Sequence, residues 1–275
     1  MRRALEAAGC RSGAADWLAE GEACDIQLEA SAPVALEAAR QALGGLPVDA
    51  ALLPAAHRRK RLLVADMDST LIRQECIDEL AAAVGIGPQI AAITERAMRG
   101  EVAFEPALRE RVGLLAGVPI ALADEVLARR VCLTDGARTL VATMRAAGAH
   151  TLLVSGGFTH FAEPVAARLG MDEVRANLLL HADGRLTGRV AEPVLGREAK
   201  EAALEELLAR LRLEPRDALA VGDGANDSGM VRLAGLGVAF HAKPALKAIA
   251  DAIIDHGDLT ALLYLQGYRR DAFAA

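Results

Sequence analysis

Apolar residues in this chain fall into two kinds of run, and their alternation predicts the architecture. Leu62-Leu63-Val64-Ala65, Thr151–Val154 and Ala218–Val221 are short and unbroken, the pattern of strands buried on both faces. Gly237–Phe240 and Ala252–Ile254 predict two further short strands. From about Glu75 to Arg130 apolar positions recur at helical spacing, Ile77, Leu80 and Val84 among them. Residues 197–213 predict an amphipathic helix with Leu204, Leu207, Leu208 and Leu211 on one face. Leu178–Arg189 predicts a hairpin turning at Asp183-Gly184. Buried strands separated by helices predict an α/β fold with a mostly parallel sheet covered on both faces, whose ligand crevice lies at the carboxyl ends of the strands.

The start of the chain reads differently. Cys24–Glu29 alternates, with Ile26 and Leu28 on one side, and Pro33 opens a helix through Leu43 that Gly44-Gly45 closes. Val48–Leu53 predicts a second strand, so residues 1–53 are expected to be a small β-α-β extension. Residues 54–60 read as a linker, and the basic run Arg58, Arg59, Lys60, Arg61 as its solvated edge. The helical stretch is too long for one crossover. Residues 75–134 are therefore expected to be an inserted cap on a core built from 61–74 and 135–275.

Composition removes some functions. The 275 residues carry a net charge of −6, which gives no basic footprint for nucleic acid. No stretch reaches the ~18 apolar residues of a membrane span, so no membrane partner is expected. Cys10, Cys24, Cys76 and Cys132 are scattered without metal-site spacing, which fits a reducing, cytoplasmic setting.

Chemistry gathers where the buried strands end. Asp66-Met67-Asp68-Ser69-Thr70 follows the first run and sets two carboxylates at i and i+2. One can attack phosphorus while the other protonates the leaving alkoxide and then activates water. The same residues could instead form an Asp-rich helix cap. Gly222-Asp223-Gly224-Ala225-Asn226-Asp227 follows the third run. Asp66 and Asp223 could bind Mg²⁺, which takes few carboxylates plus phosphate and water. Asp227 could bind the ion through water or position Lys200. Ser155-Gly156-Gly157 offers a hydroxyl and backbone N–H groups to phosphate, and Lys200 a positive charge. Taken singly, the turns are common and most helix lysines are solvated.

In this order the motifs resemble the haloacid dehalogenase superfamily of phosphatases over about residues 61–255. Within it, Glu75-Cys76-Ile77-Asp78-Glu79-Leu80-Ala81, Phe104 with Leu108-Arg109-Glu110-Arg111-Val112, and Val154-Ser155-Gly156-Gly157-Phe158 are similar to the phosphoserine phosphatases. The resemblance implies a Rossmann-like parallel core with an inserted helical cap and a small N-terminal α/β extension. It implies Mg²⁺-dependent hydrolysis of O-phospho-L-serine, the last step of serine biosynthesis, through an aspartyl phosphate. Asp66 would be the nucleophile and Asp68 the general acid/base. Asp66, the Asp68 carbonyl and Asp223 would hold Mg²⁺, with Asp227 behind them. Ser155, Gly156 and Lys200 would hold phosphate, with Asn226 close by. Glu75 would meet the substrate ammonium, Arg111 its carboxylate, and Met98 and Phe104 would shield the site. Read without the family, Glu75 caps the next helix and Arg111 pairs with Glu105 or Glu110. Phosphothreonine, a sugar phosphate, or a silent phosphometabolite sensor are the competing readings, and Glu75 and Arg111 favour phosphoserine over a sugar phosphate. The pair Ser228-Gly229 departs from the family pattern, and its glycine predicts a loosened helix start.

Overall fold

The computed structural model describes residues 2–29, 33–98 and 101–274 of the chain. Residues 2–43 form a small unit of α1 (Arg2–Ala7), the antiparallel pair β1 (Ser12–Ala19) and β2 (Ala23–Leu28), and α2 (Pro33–Leu43). This corrects the expected β-α-β order. β1 left no sequence pattern because Gly13–Trp17 is exposed throughout. Val48–Leu53 is not a strand. The Asp49 carboxylate accepts the N–H groups of Asp255, His256 and Gly257 at 2.8, 3.1 and 2.9 Å, so a side chain pins this segment where a ladder was expected.

The basic run is only half a solvated edge: Arg59 and Arg61 are exposed, whereas Arg58 and Lys60 are tied down. Arg58 bonds the Asp25 carboxylate and the carbonyls of Tyr264 and Leu265. Lys60 is buried and donates to the carbonyls of His57 and Arg216 at 2.9 and 2.8 Å. Arg59 lies 4.1 Å above the Tyr268 ring.

β3 (Leu62–Ala65) then leads into four helices, α3 (Cys76–Ala83), α4 (Gly87–Met98), α5 (Phe104–Gly113) and α6 (Ala121–Arg129). They join the core through a narrow neck. There Ile72 bridges Leu133, and Thr134 donates to the Leu71 carbonyl at 2.9 Å. The chain continues through α7 (Ala137–Ala146), β4 (His150–Phe158), α8 (Thr159–Leu169) and β5 (Glu173–Asn177). The hairpin β6 (Leu179–Ala182) and β7 (Arg185–Val190) follows, turning at Asp183 and Gly184 with φ of 50° and 73°. Such a pair of left-handed residues matches the twist of the flanking strands. Then come α9 (Arg197–Leu211), β8 (Ala218–Gly222), α10 (Ser228–Leu233), β9 (Leu236–Phe240), α11 (Pro244–Lys247), β10 (Ala252–Ile254) and α12 (Ala261–Leu265). α10 starts at Ser228, with Gly229 in its first turn. A Cβ there would lie 2.4 Å from Glu201 Oε2, so glycine is what lets α10 approach α9.

Six strands form one parallel sheet in the order β10-β9-β8-β3-β4-β5. Alternate side chains divide between its faces. Leu63, Ala65, Leu153 and Val221 pack with α7, α8 and α12, whereas Leu62, Val64, Leu152 and Ala220 pack with α9 and α10. Both faces are thus covered, as the unbroken apolar runs require. β3 has β4 on one side and β8 on the other, so the direction of winding reverses at β3. The carboxyl ends of β3 and β8 flank the crevice that such a reversal opens. Among the described residues no helix is long and apolar enough to cross a membrane.

Candidate active site

Asp66 is the first residue beyond β3, and its N–H still donates to Val221 of β8 at 3.0 Å. Its Oδ1 accepts the Met67 N–H at 2.8 Å and the Lys200 ammonium at 2.7 Å. Lys200 comes from the first turn of α9, is 1% exposed, and also reaches Asp227 Oδ1 at 2.6 Å. Burial alone would lower the Lys200 pKa, but Asp227 and Asp66 outweigh it and hold the ammonium above its ordinary value. The other Asp227 oxygen accepts the N–H groups of Asp223 and Gly224 at 3.2 and 3.1 Å. This is why Gly222 has no side chain. A Cβ there would sit 2.3 Å from Asp227 Oδ2.

Asp223 follows β8. With Asp66 and Asp227 it offers carboxylate oxygens that all lie within 4.8 Å of one another. Burial first, then Asp227, pushes Asp66 well above the usual carboxylate range despite Lys200. Asp223 is raised to about 6, chiefly by burial, with Asp227 and Glu75 adding and Lys243 opposing. Both shifts come first from burial and then from the mutual repulsion of the crowded carboxylates, against which Lys200 acts. Crowded hard oxygens with surplus charge suit a small divalent cation.

Asp68 lies in the turn Met67–Leu71, where Ser69 takes a left-handed φ of 54°. One Asp68 oxygen accepts the Cys76 N–H at the start of α3, at 2.9 Å. Burial and the charge of Glu75 raise Asp68 to about 7, so its protonated form is accessible near neutrality. Gly157 faces the other oxygen so closely that a Cβ would lie 2.7 Å away. β4 does not stop at Val154 as expected. It runs through Ser155-Gly156-Gly157 to Phe158, but its register with β5 breaks between Val154 and Phe158. Ser155 is fully buried, and its hydroxyl oxygen accepts the Gly157 N–H at 2.9 Å.

The helical insertion brings its candidates to the same cleft. Glu75 does not cap α3 with its side chain, and instead accepts the Ser69 hydroxyl at 2.7 Å. Arg111 does not pair with Glu105 or Glu110, which bond Arg109 and Arg96. Its Nε donates to the Ala107 carbonyl at 3.3 Å and its Nη1 to Thr94 Oγ1 at 3.4 Å. Burial pulls the Arg111 pKa down, while Asp78, Glu75 and Asp68 oppose it. The guanidinium therefore lies within electrostatic reach of the acids around the cleft. Phe104 covers Gly156 and Gly196, since a Cβ on either would meet its ring at 3.1 or 3.4 Å. Asn226 is half-buried beside Asp227. Met98 ends α4, and its side chain lies outside the described residues.

Sequence reasoning missed Ser69, Thr94, Lys243 and Asn177. Ser69 and Thr94 hold Glu75 and Arg111, Lys243 Nζ stands 3.6 Å from Asp223, and Asn177 bonds Gly156. Only Ser69 carried a signal, its place between Asp68 and Thr70.

The haloacid dehalogenase-like hydrolase family model matches residues 63–232. The chain is 49% identical over 210 residues to phosphoserine phosphatase of Albidiferax ferrireducens, covering 74% of this chain and 89% of that one. It is 46% identical over 220 residues to phosphoserine phosphatase SerB2 of Mycobacterium tuberculosis, covering 80% of this chain and 54% of the relative. The chain thus spans about half the length of that longer relative. A crystal structure of a HAD-family hydrolase from Salmonella enterica serovar Typhi superposes with a TM-score of 0.85 at 30% identity, covering 96% of this chain and 92% of that one. With its carboxylate cleft at the reversal point of a parallel sheet, this chain belongs to the haloacid dehalogenase-like hydrolase family.

Proposed function

We propose that this protein hydrolyses O-phospho-L-serine to L-serine and phosphate through an aspartyl phosphate on Asp66. The observation that carries the reading is the convergence of Asp66, Lys200, Asp227 and Asp223 at two adjacent strand ends, in a chain whose relatives are phosphoserine phosphatases. Asp66 Oδ1 is held by Met67 and Lys200, which leaves Oδ2 to attack phosphorus. As the bond from phosphorus to the serine oxygen breaks, Asp68 gives that oxygen its proton. Asp68 then takes a proton from water, whose oxygen attacks phosphorus and releases Asp66. An Asp68 pKa of about 7 suits both duties. Ser155, Gly156 and Lys200 bind the phosphoryl oxygens, with Asn226 beside them.

Asp66, the Asp68 carbonyl and Asp223 are the residues that would hold Mg²⁺. When bound, the ion supplies charge neutralisation and polarisation of the phosphoryl group. Asp227 acts through Lys200. Glu75 and Arg111 read the ammonium and carboxylate, and Phe104 closes over them from a cap of residues 75–134. We assign the protein to the cytoplasm, in keeping with four free cysteines.

The test is phosphate release from O-phospho-L-serine, O-phospho-L-threonine and a sugar phosphate, with Mg²⁺ or with a chelator. Preference for phosphoserine, loss with chelator and loss in Asp66→Asn are expected. Indifference to the amino-acid head group would defeat the substrate assignment. Undiminished turnover by Asp66→Asn would remove the nucleophile.

A further inference from the structure

We infer that Asn177 is a positioning residue for phosphate: its buried carboxamide fixes Ser155-Gly156-Gly157 against the loop that leads to Lys200. The inference rests on the phosphatase reading above. Asn177 ends β5 and is 3% exposed. Asn177 pairs with Phe158, where β4 rejoins β5 after the register breaks between Val154 and Phe158. Gly156, inside the break, has no paired residue on β5, and a side chain serves it instead: Asn177 Nδ2 donates to the Gly156 carbonyl at 2.9 Å. The same nitrogen donates to the Leu195 carbonyl at 3.0 Å, and Oδ1 accepts the Leu195 N–H at 2.7 Å. Both hydrogens of the amide are used, and the reciprocal bonds to Leu195 fix which end is nitrogen.

The consequence passes through one peptide plane. In a trans peptide the carbonyl and the next N–H point in opposite directions. Drawing the Gly156 carbonyl to Asn177 therefore aims the Gly157 N–H away from it, onto Ser155 Oγ at 2.9 Å. With its oxygen accepting that bond, the Ser155 hydroxyl keeps its hydrogen for an acceptor. Among the described residues no protein group takes it, and a phosphate oxygen is such an acceptor. The second arm acts on Lys200. Leu195 precedes Gly196, the capping residue just before α9, and Lys200 lies in the first turn of that helix. Gly156 and Gly196, the two glycines under the Phe104 ring, are thus joined through Asn177.

Inorganic phosphate is the probe, measured as a competitive inhibitor of O-phospho-L-serine hydrolysis. Asn177→Ala is expected to raise both the phosphate Ki and the substrate KM about tenfold, since small displacements of binding groups are costly. Gln266→Ala is the control. It removes another buried amide, bonded to the Lys60 N–H and the Leu262 carbonyl, and should lower Tm while leaving Ki within about twofold. If Asn177→Ala does not fold, Asn177→Ser keeps one donor and one acceptor and carries the same test, with a smaller rise expected. A folded variant whose Ki stays within twofold of the parent overturns the inference, as does an equal rise in Gln266→Ala. A parent protein that neither hydrolyses phosphoserine nor binds phosphate would instead fail the phosphatase reading.

Discussion

At Gly157 a methyl group would have nowhere to go. Its Cβ would lie 2.7 Å from Asp68 Oδ2, 3.1 Å from Ser155 Oγ and 3.3 Å from Met67 Cε. Asp68 cannot turn aside freely, because its other oxygen holds the Cys76 N–H. Gly157→Ala is therefore expected to cut kcat/KM on O-phospho-L-serine, which reports only the first phosphoryl transfer, about 10²-fold by misplacing Asp68, the proposed acid. On p-nitrophenyl phosphate the loss should be smaller, since that leaving group departs without a proton. Equal losses on both substrates would show that something other than the acid had moved. Arg111→Lys probes the other end of the substrate. It keeps the charge but loses the planar fork that matches a carboxylate. The kcat/KM for O-phospho-L-serine should fall by about 2 kcal/mol, or roughly 30-fold. O-phosphoethanolamine, which has the ammonium but no carboxylate, should be unaffected, and a matching loss there would take the carboxylate away from Arg111. The aspartates were legible in the sequence because each motif is contiguous and directly follows an apolar run. Asn177 was not, because a lone asparagine at a strand end has no distinguishing spacing until the register break beside it is seen.

The joint between α7 and the start of β4 depends on one carboxylate. Asp172 accepts the Thr151 N–H and hydroxyl at 2.9 and 2.8 Å, and Arg145 donates to its other oxygen at 2.8 Å. Burial would raise the Asp172 pKa, but the bonds from Thr151 and Arg145 win and hold it below its ordinary value. A depressed carboxylate stabilises the fold above its unfolded pKa, about 3.9 for Asp, and that stability disappears as pH falls through the lower folded value. Asp172→Asn should thus cost about 1–2 kcal/mol at pH 7 in denaturant unfolding and progressively less below pH 4. A penalty independent of pH would assign the clamp to shape rather than charge. Elements of this core were legible because both faces of the sheet are covered, so each strand declares itself as an apolar run. That logic fails outside the sheet. β1 is largely exposed and shows no alternation, while Val48–Leu53 is apolar enough to imitate a strand although the Asp49 side chain and the packing of Ala51 and Leu53 hold it without a ladder. Pairing by side chain leaves no trace in hydrophobic periodicity.

Across the whole molecule, the small unit of residues 2–43 depends on the rest for its position. Among the described residues its buried apolar side chains are Leu5, Cys10, Leu18 and Ala35, and a two-stranded hairpin with so little core is marginal alone. Three arginines tie it down. Arg269 reaches Asp16 and Arg270 reaches Glu22, but the side chains of both pairs are about half exposed, at 52% and 60% and at 58% and 49%. Exposed pairs of this kind contribute about 0–1 kcal/mol. Arg58 differs. It and Asp25 are 23% and 29% exposed, and its remaining N–H groups cap the carbonyls of Tyr264 and Leu265 at the end of α12. Removing it strands one carboxylate and two carbonyls, a loss of about 2 kcal/mol. Arg58→Ala should therefore speed amide exchange in β1 and β2 about 30-fold, the same energy read as a rate. β3 and β8 should keep their protection, and phosphate release should not change, because the affected contacts lie outside the carboxylate cleft. Arg269→Ala should change exchange several-fold at most. If β1 and β2 stay fully protected in Arg58→Ala, the unit is held by its own packing and the strap is incidental. If β3 exchanges faster as well, the unit and the sheet unfold together and the two cannot be treated as separate cooperative bodies.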